Sequence, residues 1–446
     1  MRATATVQLL GARTRLYRKI DSRILPLLVL GLIFVTIDRY DVAFAKLQLA
    51  QDLGISDAVY GLGAGIFFLG YMLFEVPSNL LLAKIGARKT FSRIMTLWGL
   101  TCAAMMFVEG GRSFYLLRFL LGVFEAGFFP GAIFYLTLWY PPARRARTMA
   151  VFTSAVIVSG MINGPLSTWL MSRLAGVAGL KGWQWMFLAE GLPCALLGMV
   201  AFVVLVDQPA HAKWLSPDEK ALLNADLAQG AAPNAPPPPL MHASLRQALK
   251  DPRLYAMAFG YLCLICATNT VAYWLPTLLK KAGVTSLMRI GWLSTLPYLA
   301  AGLALIVFGY SSDRSGERRW HTTLLAFVTA LALASAALST GRLMPLLISL
   351  TLAKACAVAA YTVFWAMACD YLKSSDAAGG IALINSIGQF GGFLSPALIG
   401  WLTAATGHLQ AGLFVMATLV LAGCIVIGCN RFPLSHAVMQ MPHKTQ

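Results

Sequence analysis

The stretch Gly309–Arg319, "GYSSDRSGERR", and the stretch Asn79–Lys89, "NLLLAKIGARK", decide how this chain is read. Each is a short basic segment between two long apolar runs. Setting Asn79 against Gly309 aligns Lys84 with Arg314, Gly86 with Gly316, Arg88 with Arg318 and Lys89 with Arg319. One basic hairpin is weak evidence. Two at matching places in two sets of apolar runs point to an internal duplication.

Working outward, the runs on either side are long. Of the 446 residues, 58% are hydrophobic and only 12% charged, against about a quarter charged in soluble proteins. Twelve apolar segments can be counted, each long enough to cross ~30 Å of hydrocarbon. The first six are placed at Leu25 to Ala45, Ala58 to Leu82, Phe91 to Val108, Phe114 to Tyr140, Thr148 to Met171 and Trp183 to Val206. The second six are placed at Leu254 to Leu279, Ile290 to Ser311, Thr322 to Leu338, Leu343 to Cys369, Gly379 to Ala404 and Ala411 to Cys429. The expectation is an all-α membrane protein of twelve transmembrane helices in two six-helix halves. The halves are residues 24–206 and 253–430, with a polar, Pro-rich linker at 207–252 and tails at 1–23 and 431–446. Within the linker, "SPDEKALLNADL" predicts a short surface helix with Ser216 as N-cap before Glu219.

Charge gives the orientation. Of 35 Lys and Arg residues, 24 fall on the side that holds both tails and the linker, and 8 on the other. Lys and Arg accumulate in cytoplasmic loops, so the tails and linker are expected inside, in a multi-pass protein of a bacterial-type inner membrane. The same rule accounts for the net charge of +17. No basic stripe with interleaved aromatics is present, and no nucleic-acid partner is expected. The basic N-terminus lacks a signal-peptide core and reads as a cytoplasmic tail. All eight cysteines lie in apolar runs, and Cys263 and Cys266 have no further ligand nearby, so buried small hydrophobes are expected rather than a metal site.

Three residues left over from the loop count, Arg39, Arg118 and Lys354, lie inside apolar segments. A charge at that depth costs at least ~2.5–3.5 kcal/mol, so it faces a cavity and has a partner. In "FVTIDRYDVAF", Asp38 and Asp41 are three apart and share a helix face, with Arg39 about 100° round from Asp38. In "RFLLGVFEAGFF", Arg118 and Glu125 lie two turns apart on one face, and Gly122 and Gly127 allow a neighbouring helix close. The planar fork of arginine matches a carboxylate, and a carboxyl group in low-dielectric surroundings can carry a proton. The reading is that Arg39 and Arg118 hold a substrate anion while Asp38 and Glu125 carry protons. The structural alternative for Asp38 and Arg39 is an ion pair that locks helices. Asn385 and Gln389, four apart on a Gly-rich helix, line the same cavity in this reading. Lys354 either pairs with an acid or adds a cation for a second anionic group on the substrate. Glu75 is read as a gate support and Glu190 as structural. "GLGAG" at Gly61 to Gly65 reads as close helix packing.

"GYSSDRSGERR" closely resembles the loop motif G-x-x-x-D-R-x-G-R-R of the major facilitator superfamily, with the first copy degenerate at Asn79 and Ala83. "DRYDVAFAKLQ", "GIFFLGYMLFEVPSN", "RFLLGVFEAGFFPG", "GWQWMFLAEGLP" and "INSIGQFGGFLSP" resemble the anion:cation symporter group within it, which includes bacterial permeases for tartrate, phthalate, hydroxyphenylacetate and sugar acids. The resemblance implies a proton-coupled symporter of a small organic carboxylate working by alternating access. An organic anion exchanger is the alternative in the transport class, and a membrane sensor the alternative outside it. It implies the same roles for Asp38, Arg39, Arg118 and Glu125, adds Tyr71 as a substrate contact, and gives Asp313 and Arg314 the part of a conformational clamp. The group usually has Asn where this chain has Asp41. No enzyme activity, no cofactor and no metal are expected. The partners are a small organic anion, protons and the lipid bilayer, with the proton gradient as driving force and a monomer as the expected state.

Overall fold

In a computed structural model, residues 2–229, 249–372 and 377–430 are described. They form fifteen α-helices and, among the described residues, no strand. In order these are α1 Arg2–Tyr40, α2 Val42–Asp52, α3 Asp57–Ile85, α4 Ala87–Ala104, α5 Gly111–Glu125, α6 Phe128–Trp139, α7 Pro142–Arg173, α8 Gly182–Val204 and α9 Pro217–Gln229. There follow α10 Pro252–Lys281, α11 Leu287–Ser315, α12 Arg319–Leu338, α13 Leu343–Tyr371, α14 Ala377–Thr406 and α15 Leu409–Cys429.

Eleven spans are long and apolar enough to cross a membrane, with α1 and α2 counted as one and α5 and α6 as another. The remaining long helix, α4, is only 18 residues and carries Arg88, Lys89 and Arg93 in its first turns, which lowers its mean hydropathy. The chain divides into two compact units, one of Met1–Ile55 and Ile66–Pro236 and the other of Ser56–Gly65 and Pro237–Gln446.

Within the first unit, small residues let backbones meet. A Cβ on Gly99 would press on the backbone of Gly191 and Ala195, and one on Gly191 on that of Gly99 and Ala103, so α4 and α8 touch main chain to main chain. Gly122 lies against the Phe67 carbonyl, the close approach its spacing suggested. In the second unit the "GLGAG" stretch does the same: Gly61 meets the Pro396 carbonyl and Gly65 that of Phe393. Six of the eight cysteines are buried, whereas Cys369 and Cys429 are exposed at helix ends.

The aligned hairpins share a glycine at positive φ but not one backbone conformation: Gly86 has φ 87° and ψ 166°, Gly316 φ 66° and ψ 4°, and both cost glycine little. The arginines two positions on are both engaged: Arg88 N–H donates to Asp207 Oδ1 at 2.8 Å, and Arg318 pairs with Asp313 at 2.9 Å and Asp370 at 2.7 Å.

The linker helix α9 begins in the expected capping box: Glu219 N–H donates to Ser216 Oγ at 3.1 Å, and Ser216 N–H to Glu219 Oε2 at 2.8 Å. It is tied to α1 by Lys19–Glu219 at 2.8 Å, by Arg13–Asp226 at 2.6 Å and by the Tyr17 hydroxyl donating to Asp226 at 3.1 Å. The hydrogen bond from Lys19, then that from the Ser216 amide, holds the Glu219 carboxyl below the ordinary carboxylate range.

Candidate functional site

Two of the membrane spans are divided where their charges sit, the first slightly and the fourth sharply. The first is divided at Asp41, between α1 and α2, where the backbone stays right-handed helical at φ −55° and ψ −36°. The fourth is interrupted just after Glu125: Ala126 is non-helical and Gly127 is left-handed at φ 90°, with a Cβ there 2.7 Å from Ser78 Oγ. Broken helices at membrane depth free backbone groups and are tolerated where protein surrounds them.

Around these points the first unit gathers a buried charged cluster. Arg39 on α1 forms an ion pair with Oε1 of Glu125 on α5. Glu125 is sealed, whereas the Arg39 side chain keeps 20% of its exposure, so Arg39 is the member that a ligand can reach. Its guanidinium stands 5.2 Å from the ring centres of Phe67 and Tyr71 and 5.8 Å from that of Phe68. Arg118, fully buried, stands 5.0 Å from the same Phe67 ring. Both arginines therefore flank one aromatic ring, which lowers the cost of holding cations there. Arg118 interacts electrostatically with Asp38, Asp41 and Glu125.

Asp38 does not pair with its neighbour Arg39; its Oδ2 accepts a hydrogen bond from Trp98 Nε1 on α4. Cys102, one turn further along α4, places its thiol 3.9 Å from Asp41 Oδ2 and 3.8 Å from the Phe187 carbonyl. The ligand atoms of Asp38, Asp41 and Cys102 lie within 4.8 Å of one another, the group among the described residues that could surround a cation. On α8, Glu190 Oε1 is 2.8 Å from Ser167 Oγ. Four carboxyl oxygens here have no hydrogen-bond partner: Oδ1 of Asp38, Oδ1 of Asp41, Oε2 of Glu125 and Oε2 of Glu190.

The first unit thus brings together Asp38, Arg39, Tyr71, Arg118 and Glu125. Trp98, Cys102, Phe67 and Phe68 join them although no feature of their apolar runs distinguished them. Glu75, half-buried on α3, also interacts with Arg39.

In the second unit, Lys354 is buried on α13. Its Nζ donates to the Thr268 carbonyl at 3.1 Å and stands 4.8 Å from the Tyr298 ring centre, a cation held by a dipole and a π face. Asn385 and Gln389 are half-buried on α14. From the loop after α11, Arg318 joins Asp313 in the last turn of α11, and links it to Asp370 at the end of α13; Arg314, also in that last turn, is exposed.

The Major Facilitator Superfamily profile matches residues 28–289 and 282–440. The chain belongs to the Major Facilitator Superfamily. Like other members of that superfamily, it is a multi-pass membrane transporter of small molecules and not an enzyme. Among its superfamily relatives, a "Putative tartrate transporter" of Agrobacterium vitis is 42% identical, over 93% of this chain and 94% of that protein. A "Putative metabolite transport protein NicT" of Pseudomonas putida is 41% identical over 93% of each. A "Quinolone resistance transporter" of Acinetobacter baumannii is 42% identical over 92% of this chain and 93% of that one. A crystal structure of a bacterial homologue of the human lysosomal transporter Spinster, inward-facing and unoccupied, is 16% identical and superposes over 91% of this chain and 94% of its own, with a TM-score of 0.73.

Proposed function

We propose that this chain is a proton-coupled symporter that takes up a small organic carboxylate by alternating access. The reading has it sit in a bacterial inner membrane with both ends and the linker on the cytoplasmic side. The observation that carries it is the ion pair between Arg39 and the sealed carboxylate of Glu125. A carboxylate substrate and Glu125 compete for the same guanidinium fork. A proton on Glu125 removes its charge and releases Arg39, which with Arg118 then holds the substrate carboxylate bidentately. Proton and substrate binding favour each other by the same factor, which is the thermodynamic content of coupling. Asp38, held by Trp98, is the second proton carrier in this scheme. Tyr71, beside Arg39, takes a further substrate oxygen; Asn385 and Gln389 are assigned to the far end of the substrate. Lys354 meets a second carboxylate where the substrate has one. Asp313, with Arg314 in the same turn and Arg318 in the loop after it, serves as the conformational clamp.

The names of the tartrate relatives support a hydroxy-dicarboxylate as the first compound to test. Vesicles holding the purified chain are loaded at one pH and diluted to a lower one, and labelled tartrate uptake is followed. The parent is expected to accumulate it, and Glu125→Gln to lose accumulation while keeping exchange. Lys354→Met is expected to impair tartrate more than a monocarboxylate analogue. Full accumulation by Glu125→Gln would remove Glu125 from the coupling. The quinolone-resistance relative favours a second reading, efflux through the same arginines; proton-driven movement of a quinolone, and not tartrate, into inverted vesicles would select it.

A further inference from the structure

The coupling scheme asks Arg39 to change partners, and three rings of α3 face it while it does so. Phe67, Phe68 and Tyr71 stand at i, i+1 and i+4, within an arc of about 100° of the helix. All three are buried. The Phe68 ring stands at 89° to that of Phe67, with 5.2 Å between centres, and the Tyr71 ring at 33°, with 6.2 Å between centres. The Arg39 guanidinium lies 5.2 to 5.8 Å from each ring centre.

The backbone fixes these rings against α5. A Cβ on Gly122 would press on the Phe67 carbonyl and the Tyr71 nitrogen, and one on Gly70 on the Phe119 carbonyl. At this turn α3 and α5 therefore meet main chain to main chain. Arg118 and Glu125 are carried on the same α5. The rings, Arg118 and the Glu125 carboxyl group stand in a fixed relation, and Arg39 reaches them from α1.

Packing alone does not ask for rings here. Aliphatic side chains would fill the same space but leave a guanidinium facing hydrocarbon, which is costly at membrane depth. An aromatic face carries the negative part of a quadrupole and attracts a cation within about 6 Å, more strongly where water is excluded. In the ion pair, Glu125 compensates the charge of Arg39. Once Glu125 is neutral, the rings still face the guanidinium.

We propose that Phe67, Phe68 and Tyr71 form an aromatic cage that holds the Arg39 cation in place while Glu125 is neutral. The rings are positioning groups, acting on the substrate through Arg39. Their part in transport rests on the proton-coupled reading above; their hold on the cation does not.

The first test is therefore made without substrate. Phenylalanines carrying one, two or three ring fluorines are placed at position 67 of the full-length protein by stop-codon suppression. Fluorine withdraws charge from the ring face and leaves its shape and apolar character. The melting temperature is expected to fall stepwise along the series, by roughly 1–3 °C in all. In Glu125→Gln, where Arg39 has lost the opposing charge, the fall is expected to be about twice as steep. The same series at Phe152, buried on α7 and stacked on Phe129, is expected to show no fall. Where Glu125→Gln does not fold, Arg39→Met carries the comparison and is expected to flatten the series to the share due to Arg118. A flat series at position 67 would overturn the proposal, by making the ring a packing group. So would equal slopes in the parent and Glu125→Gln, or a slope in Arg39→Met as steep as the parent's.

The second test reads transport. Along the series the maximum rate of tartrate uptake is expected to fall roughly 10-fold while the half-saturating concentration stays within about twofold, because the cage acts between partners and not in the bound complex. A raised half-saturating concentration at an unchanged maximum rate would overturn this role. A parent that moves no tartrate would remove the substrate reading alone, since the melting series reads the cage without it.

Discussion

Arg118 is fully buried beside the Phe67 ring, at 5.0 Å, and carries a charge that lysine could replace but a shape that it could not. A bidentate contact to a carboxylate needs the planar fork, and hydrogen bonds to charged groups contribute about 1.5–3 kcal/mol. Arg118→Lys is therefore expected to weaken substrate binding roughly 10- to 100-fold, with normal insertion and yield, as measured by the concentration dependence of tartrate uptake. Parental affinity in this variant would assign Arg118 to structure alone. At this scale the charged members of the cluster were legible because an acid or base inside an apolar run announces itself by its cost. Their partners were not. Trp98 and Cys102 sit in "IMTLWGLTCAA", where an aromatic and a thiol look like ordinary packing residues. Only the fold brings the indole N–H to Asp38. The expected alternative of an Asp38–Arg39 pair failed for a local reason. Neighbours in sequence point about 100° apart on a helix, and Arg39 has Glu125 across from it instead.

The break in the fourth span shows what periodicity conceals. An apolar run reads as one span whether or not it bends, so the first and fourth segments read as continuous. Gly122 and Gly127 read alike as points of close approach, yet they do different things. Gly122 admits the backbone of Phe67, whereas Gly127 takes a left-handed turn that redirects the chain directly after Glu125. A left-handed residue with a Cβ costs roughly 1–2 kcal/mol, and at Gly127 that Cβ would also crowd Ser78 Oγ at 2.7 Å. Gly127→Ala is therefore expected to lower the melting temperature and to depress uptake, because Glu125 is carried on the displaced end. Gly110→Ala is the control: Gly110 is extended, with φ 176°, and a Cβ there meets nothing within 4 Å. It is expected to stay within ~0.5 kcal/mol of the parent. Equal melting curves for the two variants would mean that the break does not depend on glycine. The repeated hairpin, by contrast, was legible as far as its glycines. Those aligned by sequence, Gly86 and Gly316, both take positive φ, which selects the residue without a Cβ, but their ψ values of 166° and 4° make two different turns.

For the molecule as a whole, the question is whether α4 crosses the membrane, since it alone of the long helices is too basic to qualify by composition. Contacts inside the first unit decide it by parity. The start of α1 is joined to the linker helix α9 by Lys19–Glu219 and Arg13–Asp226, so both lie on one side of the bilayer. An even number of crossings must separate them. Without α4 the intervening spans number five, and with it six. The second unit obeys the same rule. Tyr371 at the end of α13 donates to Asp251 ahead of α10, and Arg319 at the start of α12 to the Asn430 carbonyl after α15; each pair is separated by four helices. Arg88, Lys89 and Arg93 at one end of α4 are then basic residues held at the same face as the linker, the face that the orientation proposed above puts in the cytoplasm. Alkaline phosphatase, active only outside the cytoplasm, is expected to be active when fused after Gly110 and inactive when fused after Gly86 or Ser216. Equal activity after Gly86 and Gly110 would mean that α4 lies along the membrane instead of through it, and the ion pairs between α1 and α9 would then have to form across an odd number of spans, which no bilayer allows.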